Sequence, residues 1–475
     1  MNKYKPVIGL EVHVELNTKS KMFCSCSADY FGKAPNTHTC PVCLGLPGAL
    51  PFTNEEAIKK CIQIGLALNC SISEDSLFER KNYFYPDLAK GYQISQLRWP
   101  LCVGGWIDVK SDSGEISKIR INRVHQEEDT GKLTHVEDGA LGVEKNSTSH
   151  EPRAITLIDF NRSGVPLVEI VTEPDFTNSS QIRDYAKKLQ QIFRYLGVSN
   201  ADMEKGDMRL EANISVRKVD ESLASHLRGG IVNPEDLPPY RVELKNINSF
   251  RFMVAAVEYE IKRQIKALED GEKLTQETRG WDEAKKQTFL QRSKEEANDY
   301  RYFPEPDLPG IKNNESRIKE FIEGLAELPA QKIKTLMDLG VPEQVATIVG
   351  QDRDYANSVI KAFKVGVSQE FSEKKKRKIL EYYQRNVLKS DITSDTYLDA
   401  VRFATESEQG IIEDGQELTK IAEEVIKENE QSVAAFKSGK ENALQALIGG
   451  MMRKTQGKAD AGKAKKILER ILRST

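Results

Sequence analysis

The sequence predicts an α+β protein, with an antiparallel-sheet domain over residues 1–294, an all-helical domain over 295–407 and a helical tail over 408–475. Short segments that alternate apolar and polar residues, rich in Gly, Pro, Thr and Val, fill the first of these regions. The Pro-rich stretch Phe303-Pro-Glu-Pro-Asp-Leu-Pro-Gly310 then changes the texture, and helical periodicity dominates from Ser316 onward. A chain of 475 residues is also too long for one hydrophobic core and must divide.

Val7–Leu16 alternates cleanly. Ile8, Leu10, Val12, Val14 and Leu16 take one face, and Glu11, His13 and Glu15 the other, as a half-buried strand requires. Arg209–Arg217 repeats the pattern, setting Leu210, Ala212, Ile214 and Val216 opposite Arg209, Glu211, Asn213 and Ser215. Arg241–Lys245 is a shorter instance with Glu243 and Lys245 on one side. Helices are expected over Asn54–Leu68, capped by Thr53 or Asn54, over Ser180–Leu196, stopped by Gly197, and over Ser249–Leu268. Past the Pro-rich stretch, Ile318, Phe321, Ile322 and Leu325 have the spacing of one buried helical stripe, and Pro329, Gly340-Val-Pro342 and Gly350 separate short helices. A softer boundary falls near 405–415.

Composition is that of an ordinary globular protein, 39% hydrophobic and 30% charged. The first ten residues lack the apolar run of a signal peptide, and no stretch approaches the ~20 apolar residues of a membrane span, so a cytoplasmic location without membrane contact is expected. The net charge of −3 gives no general attraction to nucleic acid, but it is unevenly spread. Residues 437–475 carry ten Lys/Arg against three Asp/Glu, or +7, which leaves −10 for the rest. Either a phosphate-binding surface or a solvated basic face accounts for this. The near absence of aromatics there disfavours base stacking.

Four of the seven cysteines crowd into Cys24-x-Cys26 and Cys40-x-x-Cys43. Two short chelating loops of this kind can wrap a tetrahedral ion, and four thiolates close its coordination shell. A structural zinc site is therefore expected ahead of reduced, unmetallated thiols. His13-Val-Glu15 followed by a Cys-x-x-Cys pair also bears on zinc deamination, but that signature places Pro before the cysteines, whereas Pro41 lies between them. Deamination is set aside.

No Walker or kinase signature is present, so any nucleotide site is of another type. The candidates for chemistry are acidic and imidazole side chains on polar strand faces: Glu11, His13 and Glu15, then Glu127, Glu128 and Asp129, then Asp159 and Glu211. If the strand holding Ile119 and Ile121 runs straight on, Glu128 falls on the face opposite them. Neighbouring carboxylates suit Mg²⁺, and Arg162 or Lys245 could clamp a phosphoryl group. A polar strand face is, however, ordinarily just wet, and spacing alone does not make these strands neighbours.

Long strings across the chain resemble a known family. They include Gly9-Leu-Glu-Val-His-Val-Glu-Leu16, Cys40-Pro-Val-Cys-Leu-Gly-Leu-Pro-Gly48, Arg80-Lys-Asn-Tyr-Phe-Tyr-Pro-Asp-Leu-Ala-Lys-Gly-Tyr-Gln-Ile-Ser-Gln96, Asp159-Phe-Asn-Arg-Ser-Gly-Val-Pro-Leu-Val-Glu-Ile170, Met208-Arg-Leu-Glu-Ala-Asn-Ile-Ser-Val216, Val242-Glu-Leu-Lys-Asn-Ile-Asn-Ser-Phe250 and Arg292-Ser-Lys-Glu-Glu-Ala-Asn-Asp-Tyr-Arg-Tyr-Phe303. The whole chain resembles the B subunits of the glutamine-dependent Glu-tRNA(Gln)/Asp-tRNA(Asn) amidotransferases. The resemblance implies a cradle-shaped amino-terminal domain, a helical domain and a YqeY-like, tRNA-binding tail. It also implies an ATP- and Mg²⁺-dependent ligase that phosphorylates the side chain of a misacylated tRNA and lets ammonia displace the phosphate. The implied partners are an amidase (the A subunit) that releases ammonia from glutamine, a small C subunit, and the tRNA itself.

By matching motif, the resemblance implies Glu11, His13, Glu128 and Glu211 as magnesium-site residues, with His13 either a ligand or an orienter of one. Arg162, Lys245 and Asn246 are implied at the phosphate or acyl phosphate, and Asp159, Lys81 and Lys90 at the nucleotide and acceptor-end pocket. Cys24, Cys26, Cys40 and Cys43 are implied as a structural zinc set dispensable to the chemistry. A non-catalytic tRNA-binding scaffold is the alternative, in which the acidic faces are merely solvated.

Overall fold

The computed structural model describes residues 3–136, 155–218, 237–247, 249–293, 299–386, 393, 395–409, 415–437, 443–455, 459 and 461–474. It divides into two compact units, Met1–Leu328 and Pro329–Thr475.

The first unit is built on β1 (Tyr4–Glu15), α1 (Glu55–Ala67), β2 (Ser71–Ile72), β3 (Asp75–Ser76), β4 (Glu79–Asn82), β5 (Tyr92–Ser95), β6 (Cys102–Val103), β7 (Trp106–Lys110) and β8 (Ile116–Glu128). It continues through β9 (Lys132–Val136), β10 (Ile155–Asp159), β11 (Pro166–Thr172), α2 (Ser179–Leu196), β12 (Met208–Lys218), β13 (Val242–Ile247), α3 (Phe250–Glu269), β14 (Glu277–Asp282) and β15 (Gln287–Ser293). Short strands β16 (Phe303–Pro304) and β17 (Ile311–Lys312) and helix α4 (Glu315–Glu323) close it.

The main sheet runs β15-β14-β13-β12-β1-β11-β8-β6-β2, with β7 also paired to β8. It is antiparallel except for the β13–β14 pair. The expected strands all appear, and β1, one of the two predicted from clean alternation, lies at the centre between β11 and β12. Ile8, Leu10, Val12 and Val14 are fully buried. Full burial of each such side chain contributes roughly 1.5–3 kcal/mol. The three expected helices pack among themselves and against β7, β8, β12 and β13. Asn54 is the cap of α1, accepting from Ala57 N, and Gly197 ends α2 at φ +66°. One sheet face thus meets helices, and the other keeps its charged side chains.

In α4 the expected stripe is only partly buried: Phe321 joins the core, while Ile322 is 55% exposed. A helix of nine residues offers a narrow face, and here one side chain fills it.

The second unit is entirely helical: α5 (Pro329–Asp338), α6 (Glu343–Val349), α7 (Arg353–Ser368), α8 (Glu373–Asn386), α9 (Thr396–Gln409), α10 (Gly415–Glu428), α11 (Glu430–Lys437), α12 (Ala443–Lys454) and α13 (Ala461–Ser474). Its first core gathers Leu336, Val359, Phe363, Ile379 and Tyr383. A second gathers Leu418, Ala422, Leu447, Met451 and Leu468. No helix among the described residues is long and apolar enough to cross a membrane.

Candidate functional site

Side chains two apart on a strand share a face, so register fixes which charged groups meet. Across the sheet, His125 of β8 faces Glu169 of β11, which faces His13 of β1, which faces Arg209 of β12. One step along β1, Glu11 faces Glu211, and Asn213 of β12 faces Glu243 of β13. The polar faces of five neighbouring strands therefore converge.

Two clusters result. His13 Nε2 lies 3.6 Å from both Glu127 Oε1 and Glu169 Oε2, and His125 Nε2 lies 3.2 Å from Glu169 Oε2. One ligand atom from each of His13, Glu127 and Glu169 falls within 4.8 Å of the others, and the same holds for Glu11, Glu211 and Glu243. Beside the second group, Lys245 Nζ stands 3.0 Å from Glu211 Oε2 and 3.2 Å from Glu243 Oε1.

Burial pushes the Glu11 carboxyl upward, and the Glu169 and Glu211 charges add to this. Burial opposes charge on His13, but the hydrogen bond and charge of Glu169, with Glu127, lift it to about 9. The two imidazoles in turn hold Glu169 well below the ordinary carboxylate range despite its burial. Lys81 is half-buried, and against the cost of desolvation the Glu127 and Glu169 charges raise its ammonium, which lies 5.1 Å from the Tyr300 ring centroid. These are sites that demand cations. One imidazole–carboxylate group and one all-carboxylate group of this make can hold divalent ions, the all-carboxylate one matching the hard-oxygen preference of Mg²⁺.

Several expected residues lie elsewhere. Glu128 was to share the polar face if its strand ran straight, but β8 carries a bulge: Ile121 pairs with Thr172, whereas Arg123 pairs with Val171. The extra residue shifts the alternation by one. Glu127 therefore takes the polar face, while Glu128 pairs with Lys90 and accepts from Ile94 N at 2.9 Å. Arg162 donates to the carbonyls of Thr130 and Gly131 at 3.0 and 2.9 Å and lies 3.6 Å from Asp129, outside both acidic clusters. Asp159 accepts from Asn36 N and Asn161 N, shaping a turn. The Asn246 side chain lies outside the described residues.

Glu169, His125 and Glu243 were not singled out from sequence for this site. The signal for Glu169 was available: it is a lone carboxylate inside the apolar run Pro166-Leu-Val-Glu-Ile-Val171. Such a residue, 7% exposed, must be paired.

A sixth acidic residue of this face is built into a separate network. Glu15 accepts from Tyr30 Oη at 2.9 Å, and Arg209 bonds Asp129 while approaching Glu15 at 3.9 Å.

The four cysteines Cys24, Cys26, Cys40 and Cys43 bring their Sγ atoms within 4.8 Å of one another. Gly45, at φ +65°, lets the second loop turn back. The Cys43 Sγ accepts from Cys40 N at 3.1 Å and from the buried Lys21 Nζ at 3.7 Å. Its thiol is drawn down to about 5 by the Cys24 hydrogen bond first, with Lys21 assisting. Four convergent sulfurs with donors to the thiolate fit a closed tetrahedral ion. Cys61, Cys70 and Cys102 are buried in the apolar core.

Comparison with known proteins places these residues in context. The GatB/GatE catalytic domain matches residues 6–319, and the GatB domain matches residues 368–472. The chain is 41% identical, over 99% of both chains, to the B subunit of the aspartyl/glutamyl-tRNA(Asn/Gln) amidotransferase of Thermotoga maritima. It is 39% identical to the corresponding protein of Roseiflexus sp., over 99% of this chain and 98% of that one. For Brevibacillus brevis the identity is 38% over the full length of both.

Proposed function

Because the chain belongs to the GatB/GatE family and matches B subunits from end to end, we propose that its acidic face activates the side-chain carboxylate of an acidic amino acid esterified to tRNA. It is the B subunit of an aspartyl/glutamyl-tRNA(Asn/Gln) amidotransferase, an ATP-consuming ligase. A free carboxylate is inert to ammonia. The substrate's carboxylate oxygen attacks the terminal phosphorus of ATP, ADP leaves, and ammonia then displaces phosphate from the acyl phosphate to form the amide.

The pairing of an all-carboxylate cluster with an imidazole–carboxylate cluster along β1 carries this reading. Divalent cations bound there would neutralise and align the phosphate oxygens. Glu11, Glu211 and Glu243 would hold Mg²⁺, and His13, Glu127 and Glu169 a second divalent ion, with His125 fixing Glu169. Lys245 and Lys81 supply the fixed positive charge that such a transfer needs at its edge. Glu128 and Lys90 would form a separate ion pair next to this centre, and Arg162 and Asp159 would hold neighbouring backbone in place.

In this reading residues 1–294, completed by β16, β17 and α4 up to Leu328, do the chemistry around a structural zinc knuckle, the helices from Pro329 to 407 form a helical domain and 408–475 engage tRNA. Ammonia comes from an amidase, the A subunit; a small C subunit completes the assembly, and the enzyme works in the cytoplasm. The test is the assembled amidotransferase with Glu211→Gln or Glu169→Gln. ATP-dependent conversion of Glu-tRNA(Gln) should fall by at least about a hundredfold, the usual scale for removing one transition-state stabiliser. Affinity for the tRNA should be unchanged. Conversion at the wild-type rate in both variants overturns the reading.

A further inference from the structure

We propose that Thr278 of β14 is a positioning residue of the all-carboxylate cluster: its hydroxyl holds Glu243 in place to share a cation with Glu11 and Glu211. This rests on the preceding reading that the cluster binds a divalent ion serving the phosphates. β13 and β14 pair in parallel, which requires a crossover, and α3 supplies it. In that register Glu243 stands beside Thr278. Thr278 Oγ1 donates to Glu243 Oε2 at 3.0 Å. Both residues are buried, at 7% and 9% exposure.

The donor's lack of charge is what suits it to this use. Glu243 Oε1 already lies 3.2 Å from Lys245 Nζ. A second cation on Oε2 would satisfy the carboxylate and compete with a metal for it. A hydroxyl orients the group and leaves its charge in place. Glu11 is treated alike: Asn213 Nδ2, on the neighbouring strand β12, donates to its Oε1 at 2.9 Å. Two of the three carboxylates are thus aimed by uncharged side chains from an adjacent strand.

β14 is also held from its other face, so the hydroxyl has a fixed base. Arg279, the next residue, takes the opposite face. It donates through Nε to Thr288 Oγ1 at 3.0 Å and through Nη2 to Thr288 O at 3.1 Å. Thr288 Oγ1 in turn donates to Glu260 Oε2 of α3 at 2.9 Å. Glu260 is fully buried and also accepts from Gln264 Nε2 at 2.9 Å and Arg263 Nη2 at 2.6 Å. The crossover helix and β15 therefore lock the strand that carries Thr278. Threonine is, in addition, a good strand former. If that were its whole use, valine, branched in the same way, would serve equally. Only the hydroxyl distinguishes the two.

The experiment titrates Mn²⁺ into the assembled enzyme and follows the free ion by electron paramagnetic resonance, with Glu243→Gln identifying the site concerned. Thr278→Val and Thr278→Ala both lack the hydroxyl. Each should weaken Mn²⁺ at that site by about tenfold to a hundredfold, the scale on which outer-shell partners of metal ligands act. Thr278→Ser should keep most of the affinity. Thr278→Val added to Glu243→Gln should weaken it no further, because the carboxylate to be oriented is gone. Full affinity in Thr278→Val or Thr278→Ala, a loss in Thr278→Ser as large as in those two, or an additive loss in the double variant overturns the role of Thr278. Wild-type affinity in Glu243→Gln is a different result: it removes Glu243 as a ligand and overturns the preceding reading, and Thr278 with it.

Discussion

Lys245 Nζ lies 3.0 Å from Glu211 Oε2, so the cation that pairs with the all-carboxylate cluster sits on its rim and not at its centre. Burial works against the ammonium, yet the Glu211 and Glu243 charges raise it above the ordinary lysine range. It stays charged throughout the working pH range and cannot act as a base. Its use is as fixed charge. Lys245→Met should therefore lower turnover by about a hundredfold, whereas Lys245→Arg should retain part of it. Single-turnover conversion of Glu-tRNA(Gln) reads this directly. Equal activity in the wild type and Lys245→Met would show that Lys245 only offsets the carboxylates.

His13 makes the metal-free chain sensitive to pH. Its folded-state pKa of about 9 is raised from 6.5 by Glu169 and Glu127. A raised imidazole pKa stabilises the fold fully below 6.5, and this contribution is lost as pH rises through about 9. The melting temperature of the chain stripped with chelator should accordingly fall between pH 6.5 and 9. Glu169→Gln, which removes the main partner, should flatten that fall. Thermal melts of both proteins across this range decide the matter, and identical slopes would remove His13 as the cause.

How far this site could be read in advance depended on the strand. The alternation in β1 and β12 placed Glu11, His13 and Glu211 on polar faces, because both strands run without interruption through the centre of the sheet. In β8 straight alternation points to Glu128, because a bulge between 121 and 123 leaves no mark in an apolar–polar pattern. Glu169 was hidden for another reason. Its strand is apolar nearly throughout, because β11 is buried on both faces around one carboxylate. Glu243 was placed on a face with Lys245, but nothing local says that β13 lies next to β12. Long-range pairing supplied that, and sequence periodicity reports only short-range order.

The cysteine knuckle gives a prediction about metal removal. Cys40 lies on a loop that also carries exposed Leu46, Leu50 and Phe52, so this segment has little core of its own to hold it. Its order should depend on the ion. Cys26→Ser or Cys40→Ser should release about one zinc per chain and lower the melting temperature by several degrees. Metal analysis and calorimetry on the purified chain test both halves. A variant that keeps its melting temperature after losing zinc would leave the knuckle without a stabilising role.

The basic tail is less uniform than its composition suggests. Lys454 Nζ is already held by Glu424 Oε2 at 2.9 Å and Glu428 Oε1 at 2.7 Å, so its charge is offset within the bundle. Lys466 has no such ion pair among the described residues and lies on α13. Counterion release on binding tRNA counts only charges that reach phosphates. Lys466→Ala, if it makes one such contact, should weaken tRNA binding and reduce the slope of log affinity against log salt by about one. Lys454→Ala should move that slope much less, because it also frees Glu424 and Glu428 without removing an uncompensated cation. Titrations of tRNA at several salt concentrations separate the two, and equal slopes for wild type and Lys466→Ala would mean that this part of α13 is a solvated face.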